Sequence, residues 1–457
     1  MTITAHLSRS ALAEVVSLRP FRRLWLVFGL SSLGDWLGLL ATSSFASTQL
    51  SSPKAQGAAF GGVIVVQLLP WLVLGPLTGV LADRFDRRHI MVSVDVARFA
   101  LFASIPAMAS LTGDHAVAVG WAAIASFTAQ VGAMLWAPAK EAAVPNLLPV
   151  RRLETANQLT IITTYGVTPV LAALVFAGAF RLPVIGGDGA AAAALYFNAL
   201  TFLACAGVVG FGVREISGRG RPSGRGEGAR EAITAGVGYV SRTPLLRGLV
   251  VGLLGSFAGA GIVIGAARFY ARSLGGGDAT FGLLFGALFV GFGLGVLAGP
   301  RLVGRLSRRR LFGLSVQLAG LGVVLLAVTP WLTVALPEVM LTGAGAGMAF
   351  LYGITLIGAE VPDAVRGRVF SVIQSAARVV LLLAVASAGA LAGLTGSWRM
   401  VLGPVEGPVD GSRVLYLLAG GCGIAVGVAA LRRMDDRPGI SPARDVWRAM
   451  TRRTGHP

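Results

Sequence analysis

About twelve apolar runs recur along this chain, and no other feature limits its fold as severely. Each is at or near the roughly 20 residues that a helix needs to cross the hydrocarbon of a bilayer. Leu24–Thr48, Phe60–Ala82, Ile90–Leu111, Val117–Ala137, Leu159–Phe180 and Ala193–Val213 come first. Leu246–Tyr270, Phe281–Leu302, Leu311–Leu332, Ala335–Gly358, Val369–Leu394 and Val414–Leu431 follow. Soluble domains carry about a quarter charged residues; here the share is 13%, with 54% hydrophobic. A watery fold has no means of hiding that much apolar surface. The expected fold is an all-α membrane protein of twelve transmembrane helices in two pseudo-symmetric six-helix bundles. The 63 glycines suit close helix packing in lipid.

Arginine sets the expected orientation. If both termini are cytoplasmic, the outer loops and ends hold only Lys54, Arg181, Arg268, Arg272, Arg399 and Arg413 of the 39 basic residues. Apart from Arg98 and Arg378, which lie within apolar runs, the rest fall inside, as the positive-inside rule asks. The net charge of +18 is therefore a mark of membrane orientation and not of nucleic-acid binding, because the arginines are split among short loops. The expected location is the cell inner (plasma) membrane, with a monomeric chain. Cys205 and Cys422 lie in apolar runs and suggest neither a disulfide nor a metal site. The polar, basic segment before Leu24 does not read as a cleavable signal.

The chain divides into a cytoplasmic N-terminal segment (1–20), a first bundle (21–213), a linker (214–244), a second bundle (245–433) and a basic cytoplasmic tail (434–457). The linker opens "REISGRGRPSGRGEGAR", a Gly/Arg-rich stretch. It continues into "REAITAGVGYVSR", where Ile233, Val237 and Val240 fall at helical spacing, as on a short amphipathic surface helix. The halves look related. "GVLA" at Gly79–Ala82 recurs at Gly295–Ala298, and the same offset carries Arg152 onto Arg368 and Gln158 onto Gln374. Such repeats are what a rocking transporter uses, with its substrate site between the halves.

"TGVLADRFDRRHIM", Thr78–Met91, turns the chain between the second and third runs. Gly79 admits a close neighbour, and Asp83 lies four residues on, on the same helix face. A carboxylate there can bond a neighbouring helix N-terminus, and Arg84, Arg87 and Arg88 can pair with acids or lipid phosphate. The stretch resembles the signature between helices two and three of the major facilitator superfamily, G-x-L-A-D-R-x-G-R-R. Gly79, Leu81, Ala82, Asp83, Arg84, Arg87 and Arg88 match. Asp86 stands where the family has Gly, a substitution that the left-handed backbone tolerates in Asp better than in most residues. Within the superfamily the chain is most similar to the enterobactin-exporter and macrolide-efflux group, through "PAKEAAVPNLLPVRRLETANQL" (Pro138–Leu159) and "EVPDAVRGRVFSV" (Glu360–Val372). It also resembles membrane regions fused to thymidylate kinase in actinobacteria, but holds no phosphate loop of its own. The fifth helix, "TTYGVTPVLAALVFAG", departs from the G-x-x-x-G-P-x-x-G-G stretch of the superfamily's drug/proton antiporters.

A charge near the bilayer centre is costly and its default reading is functional. Asp35, twelve residues beyond Arg23, is mid-membrane by helix rise, and is the candidate for proton coupling or substrate contact. The plainer reading is a packing acid bonded to Ser31, Ser32 or a facing arginine. Asp95 and Arg98, three apart, are expected to pair with each other or with the gate. Arg378 could meet Asp83, Glu360 or an anionic group, and Glu141 and Glu360 are expected to pair with loop arginines. The expected cytoplasmic gate is Gly79, Asp83, Arg84, Arg87, Arg88, Asp95, Arg98, Glu360, Arg366 and Arg378. Candidate cavity-lining residues are Trp36, Gln67, Gln130, Trp136, Gln158, Tyr165, Asn198, Tyr352 and Gln374, for each of which interhelical bonding is the plainer account. Arg268 and Arg272 read as snorkelling anchors.

With no nucleophile–base pair, metal cluster or phosphate loop in the sequence, an enzyme is the least favoured class, and no cofactor or metal is expected. The leading expectation is a secondary transporter that uses protons to export an amphipathic small molecule of drug or siderophore type. An importer or lipid or lysolipid flippase of the same fold is the alternative within transport. A non-transporting membrane sensor or assembly protein is the alternative outside it.

Overall fold

The computed structural model describes residues 15–73, 86–147, 153–181, 186–212, 229–302, 306–394, 398–402, 405–436, 439 and 444–445. Nearly all of them are helical. The helices are α1 (Arg19–Thr48), α2 (Pro53–Val73), α3 (Arg87–Thr112), α4 (His115–Leu147), α5 (Leu153–Ile162), α6 (Thr168–Ala179) and α7 (Gly186–Gly212). They continue with α8 (Ala229–Arg242), α9 (Pro244–Ser273), α10 (Asp278–Leu302), α11 (Arg308–Val328), α12 (Leu332–Glu360), α13 (Asp363–Leu394) and α14 (Gly411–Met434). Among the described residues, 11 helices are long and apolar enough to span a membrane. The second expected run begins in α2, and its remainder to Ala82 lies outside the described residues.

The chain splits into two compact units, Met1–Gly226 with Gly277–Gly286, and Glu227–Gly276 with Ala287–Pro457. In the first unit, α1 packs on α7 and α3 packs on both α4 and α7. Its core gathers Phe21, Leu24, Val27, Phe28, Met91, Trp136, Cys205 and Val209. The approach of α1 to α7 depends on two glycines one turn apart. A Cβ at Gly34 would stand 2.7 Å from the Phe202 ring and from Thr201 Oγ1, and one at Gly38 would stand 2.9 Å from Asn198 Nδ2. In the second unit α11 lies along α14, and α9 packs on α13 and α14. The amphipathic helix α8 runs along α13, with Tyr239 and Val240 against the apolar core.

Three local features depart from the hydropathy reading. The stretch expected as a loop after the fourth run is largely helix: α4 continues to Leu147, through the good helix formers of "AKEAA". The fifth span is broken by a π-turn at Thr163–Val167, just before Pro169. Proline has no N–H to donate to the carbonyl four residues back and crowds it, so the helix widens there. An antiparallel hairpin, β1 (Trp398–Leu402) with β2 (Val405–Val409), pairs Trp398 with Val409 and Leu402 with Val405 ahead of the last span.

Candidate functional site

Asp35 lies near the middle of α1, flanked by the close-packed Gly34, and its carboxylate accepts a hydrogen bond from Nη2 of Arg98 on α3. The two partners differ in surroundings. The Arg98 side chain is 1% exposed while that of Asp35 is 42% exposed. Arg98 also lies over the Phe202 ring of α7, with Cζ 3.9 Å from the centroid, and that ring stacks on Phe102 at 5.6 Å. A guanidinium in this setting is held by one charge and one aromatic face.

The expected pairing of Asp95 with Arg98 is not what forms. Asp95 is fully buried and accepts from the Trp136 indole N–H at 3.1 Å, while its other oxygen has no hydrogen-bond partner. Arg98 reaches across to α1 instead. Trp136, expected as a cavity residue, is buried at 6% exposure and edge-on to Phe28. Asn198 is fully buried beside Gly38, with both amide atoms lacking hydrogen-bond partners.

A second polar string joins α1 to the π-turn. The Trp25 indole donates to Thr163 Oγ1 at 3.0 Å, and the Trp36 indole donates to the Thr164 carbonyl at 2.9 Å. Thr168 Oγ1 donates to that same carbonyl at 3.1 Å and lies 2.8 Å from Ser32 Oγ. Trp36 and Thr168 thus satisfy the Thr164 carbonyl, which the widened turn exposes. Sequence reasoning named Trp36 and Tyr165 without this geometry; the signal available was Pro169, which demands a local break.

At the start of α3, Asp86 caps the helix. Its carboxylate accepts from the backbone N–H of Arg88 at 3.0 Å and of His89 at 3.2 Å. Its backbone is extended (φ −65°), so the left-handed role expected of it is wrong; an N-cap needs a side-chain acceptor, which Gly lacks. Arg88 donates to the carbonyls of Gly210 and Val209 at the end of α7. Arg87 is half-buried, whereas Gly79, Asp83 and Arg84 lie outside the described residues.

The remaining candidates are scattered. Glu360 accepts from Arg309 at 2.7 Å. Tyr352 is buried and donates to the Gly299 carbonyl at 2.9 Å. Gln67 is buried; Gln130, Gln374 and Arg378 are half-buried, and Tyr165 is exposed. The side chains of Glu141, Gln158 and Arg366 lie outside the described residues. Arg268, read as a snorkelling anchor, is instead buried at 4% exposure. Among the described residues no group of three or more His, Cys, Asp or Glu is placed to hold a metal ion.

The chain matches the family described as transmembrane secretion effectors over residues 10–438. It is 27% identical over 386 residues to an uncharacterized MFS-type transporter of Bacillus subtilis, covering 79% of this chain and 84% of that one. A counterpart from Mycobacterium tuberculosis is also 27% identical, over 403 residues, 83% of this chain and 86% of that one. A macrolide efflux protein of Enterococcus faecalis is 30% identical over 112 residues, 24% of this chain and 33% of that one. Among solved structures, a nucleoside transporter superposes with a TM-score of 0.66 at 14% identity, over 91% of this chain and 100% of that one. A D-xylose–proton symporter does so with a TM-score of 0.64 at 17% identity, over 91% and 98% of the two chains.

Proposed function

The chain belongs to the transmembrane secretion effectors of the major facilitator superfamily, and from that premise we propose that it exports an amphipathic small molecule by alternating access, driven by protons. It is a membrane transporter and not an enzyme. Outward transport is favoured by the likeness to a macrolide efflux protein. The proposed setting is a monomer in the plasma membrane with both termini cytoplasmic.

One observation carries the proton coupling. Asp35 is a mid-span carboxylate that is both ion-paired to a buried arginine and itself 42% exposed. Such a group is held in place and still reachable by a proton. A carboxyl group takes up a proton more readily as its surroundings dry, and releases it when wetted or when a cation approaches. Alternating access supplies that change on each cycle. The proposed gate is Gly79, Asp83, Arg84, Arg87 and Arg88, with Glu360, Arg366 and Arg378 on the other half and Asp95 and Arg98 linking gate to coupling site.

The test is transport by proteoliposomes with and without an imposed pH gradient. Asp35→Asn keeps size and hydrogen bonding but cannot titrate. The variant loses gradient-driven transport and retains exchange of substrate down its own gradient. A pH response equal to that of the native chain would remove Asp35 from the coupling step. Comparing inverted with right-side-out vesicles separates export from import or lipid flipping.

A further inference from the structure

Arg98 has an unpartnered Nε, and Asp95, three residues earlier on the same helix, has an unpartnered Oδ1. Both residues are buried, at 1% and 0% exposure. Residues three apart on a helix share a face, so Asp95 and Arg98 lie on the side of α3 from which Arg98 reaches Asp35 of α1. Among the described residues, the titratable groups beside this cluster on neighbouring helices are Asp35 of α1 and the Cys205 thiol of α7, which shares a core with Val94 and Trp136. α4 contributes the Trp136 indole and α7 the Phe202 ring. One guanidinium therefore stands within reach of two carboxyl groups and bonds only one of them.

A guanidinium does not give up its proton inside a protein. A buried charge left without a counter-charge is strongly unfavourable, and a ring face is a weaker partner than a carboxylate. When a proton reaches Asp35, Arg98 keeps the Phe202 ring and loses its counter-charge. The replacement on its own helix face is Asp95, whose Oδ1 has no donor among the described residues.

We propose that Arg98 is shared between two carboxylates: it holds Asp35 while that group is charged, and passes to Asp95 when a proton neutralises Asp35. The hydrogen bond from Arg98 to Asp35 breaks, one from Arg98 to Oδ1 of Asp95 forms, and the proton resides on the Asp35 carboxyl. Asp95 is then a positioning residue for coupling, and Trp136 keeps its other oxygen in register. This step rests on the proton-coupled reading of Asp35.

The test is a double-mutant cycle on the purified full chain, read as the thermal unfolding midpoint in detergent. In Asp35→Asn and in Asp95→Asn the guanidinium keeps one carboxylate, so each single variant loses little. The double variant keeps none, and its midpoint falls by more than the sum of the two. Adding Arg98→Gln then restores part of the loss, since the stranded charge is gone; the same triple variant answers the case in which the double variant does not fold. Asp95→Asn alone also shifts the pH profile of transport, which a merely structural loss would not do. Additive midpoints, or a triple variant no more stable than the double, overturn the sharing. A lost pH response in Asp35→Asn with an additive cycle overturns the sharing alone. A native pH response in Asp35→Asn overturns the coupling reading and this step with it.

Discussion

Arg310, at the start of α11, grips Asp435, just beyond the end of α14, with two parallel bonds: Nε to Oδ1 at 2.8 Å and Nη2 to Oδ2 at 3.1 Å. The guanidinium is fully buried, and its Nη1 takes a third bond, at 2.8 Å, to Asp445 of the tail. Ser307 adds a bond to Asp436 at 2.7 Å. At the opposite ends of the same two helices, Arg413 donates to the Thr329 carbonyl at 2.7 Å. α11 and α14 are thus strapped at both ends by arginines.

Replacing Arg310 by Met strands two carboxylates at this joint. Removing one partner of a buried ion pair costs about 3–5 kcal/mol, so the second half loses its resistance to heat in detergent. Asp445→Asn costs less, because the two-pronged bond to Asp435 survives. Equal midpoints for native chain and Arg310→Met would show that the strap contributes nothing.

Arg88 performs a related task in the first unit, where it binds the terminal carbonyls of α7. Lysine in its place keeps the charge but lacks the planar fork that spans two acceptors. The expected loss for Arg88→Lys is about 1.5–3 kcal/mol. Hydrogen exchange read at the end of α7 rises first; unchanged protection there would contradict the assignment.

The indole of Trp36 closes the exposed Thr164 carbonyl. Trp36→Phe removes the donor and keeps an aromatic body, at a cost of about 0.5–1.5 kcal/mol. Faster exchange should be confined to the Thr163–Thr168 stretch. A change spread over the whole of the fifth span would mean that the ring, and not its N–H, matters.

Glycines in this chain are not equivalent. A Cβ on Gly320 of α11 would sit 2.8 Å from the Gly420 carbonyl of α14, whereas nothing lies within 4 Å of one on Gly358. Backbone cannot move aside as a side chain can, so Gly320→Ala forces the two helices apart and lowers the unfolding midpoint. Gly358→Ala is near neutral or stabilising, since alanine is the better helix former by about 1 kcal/mol. Similar midpoints for the two variants would refute the close packing of α11 on α14.

Much of this protein is written in short-range pattern. The length of each apolar run compared with bilayer thickness is a property of consecutive residues, so the membrane class and the number of spans follow from the chain alone. Which groups meet is another matter. Arg98 is as close in sequence to Asp95 as a pair can be on one helix face, yet it bonds Asp35, 63 residues away. That choice depends on how α1, α3 and α7 pack, and on the small Gly34 and Gly38 that let α1 approach α7. The cap at Asp86, the clasp of Trp36 on the π-turn and the tail's Asp445 on Arg310 were equally illegible. Hydropathy records which stretches can enter the bilayer, but lipid and protein interior are alike apolar, so it says nothing of the rotation of one helix against the next. Only the packed helices decide which donor meets which acceptor.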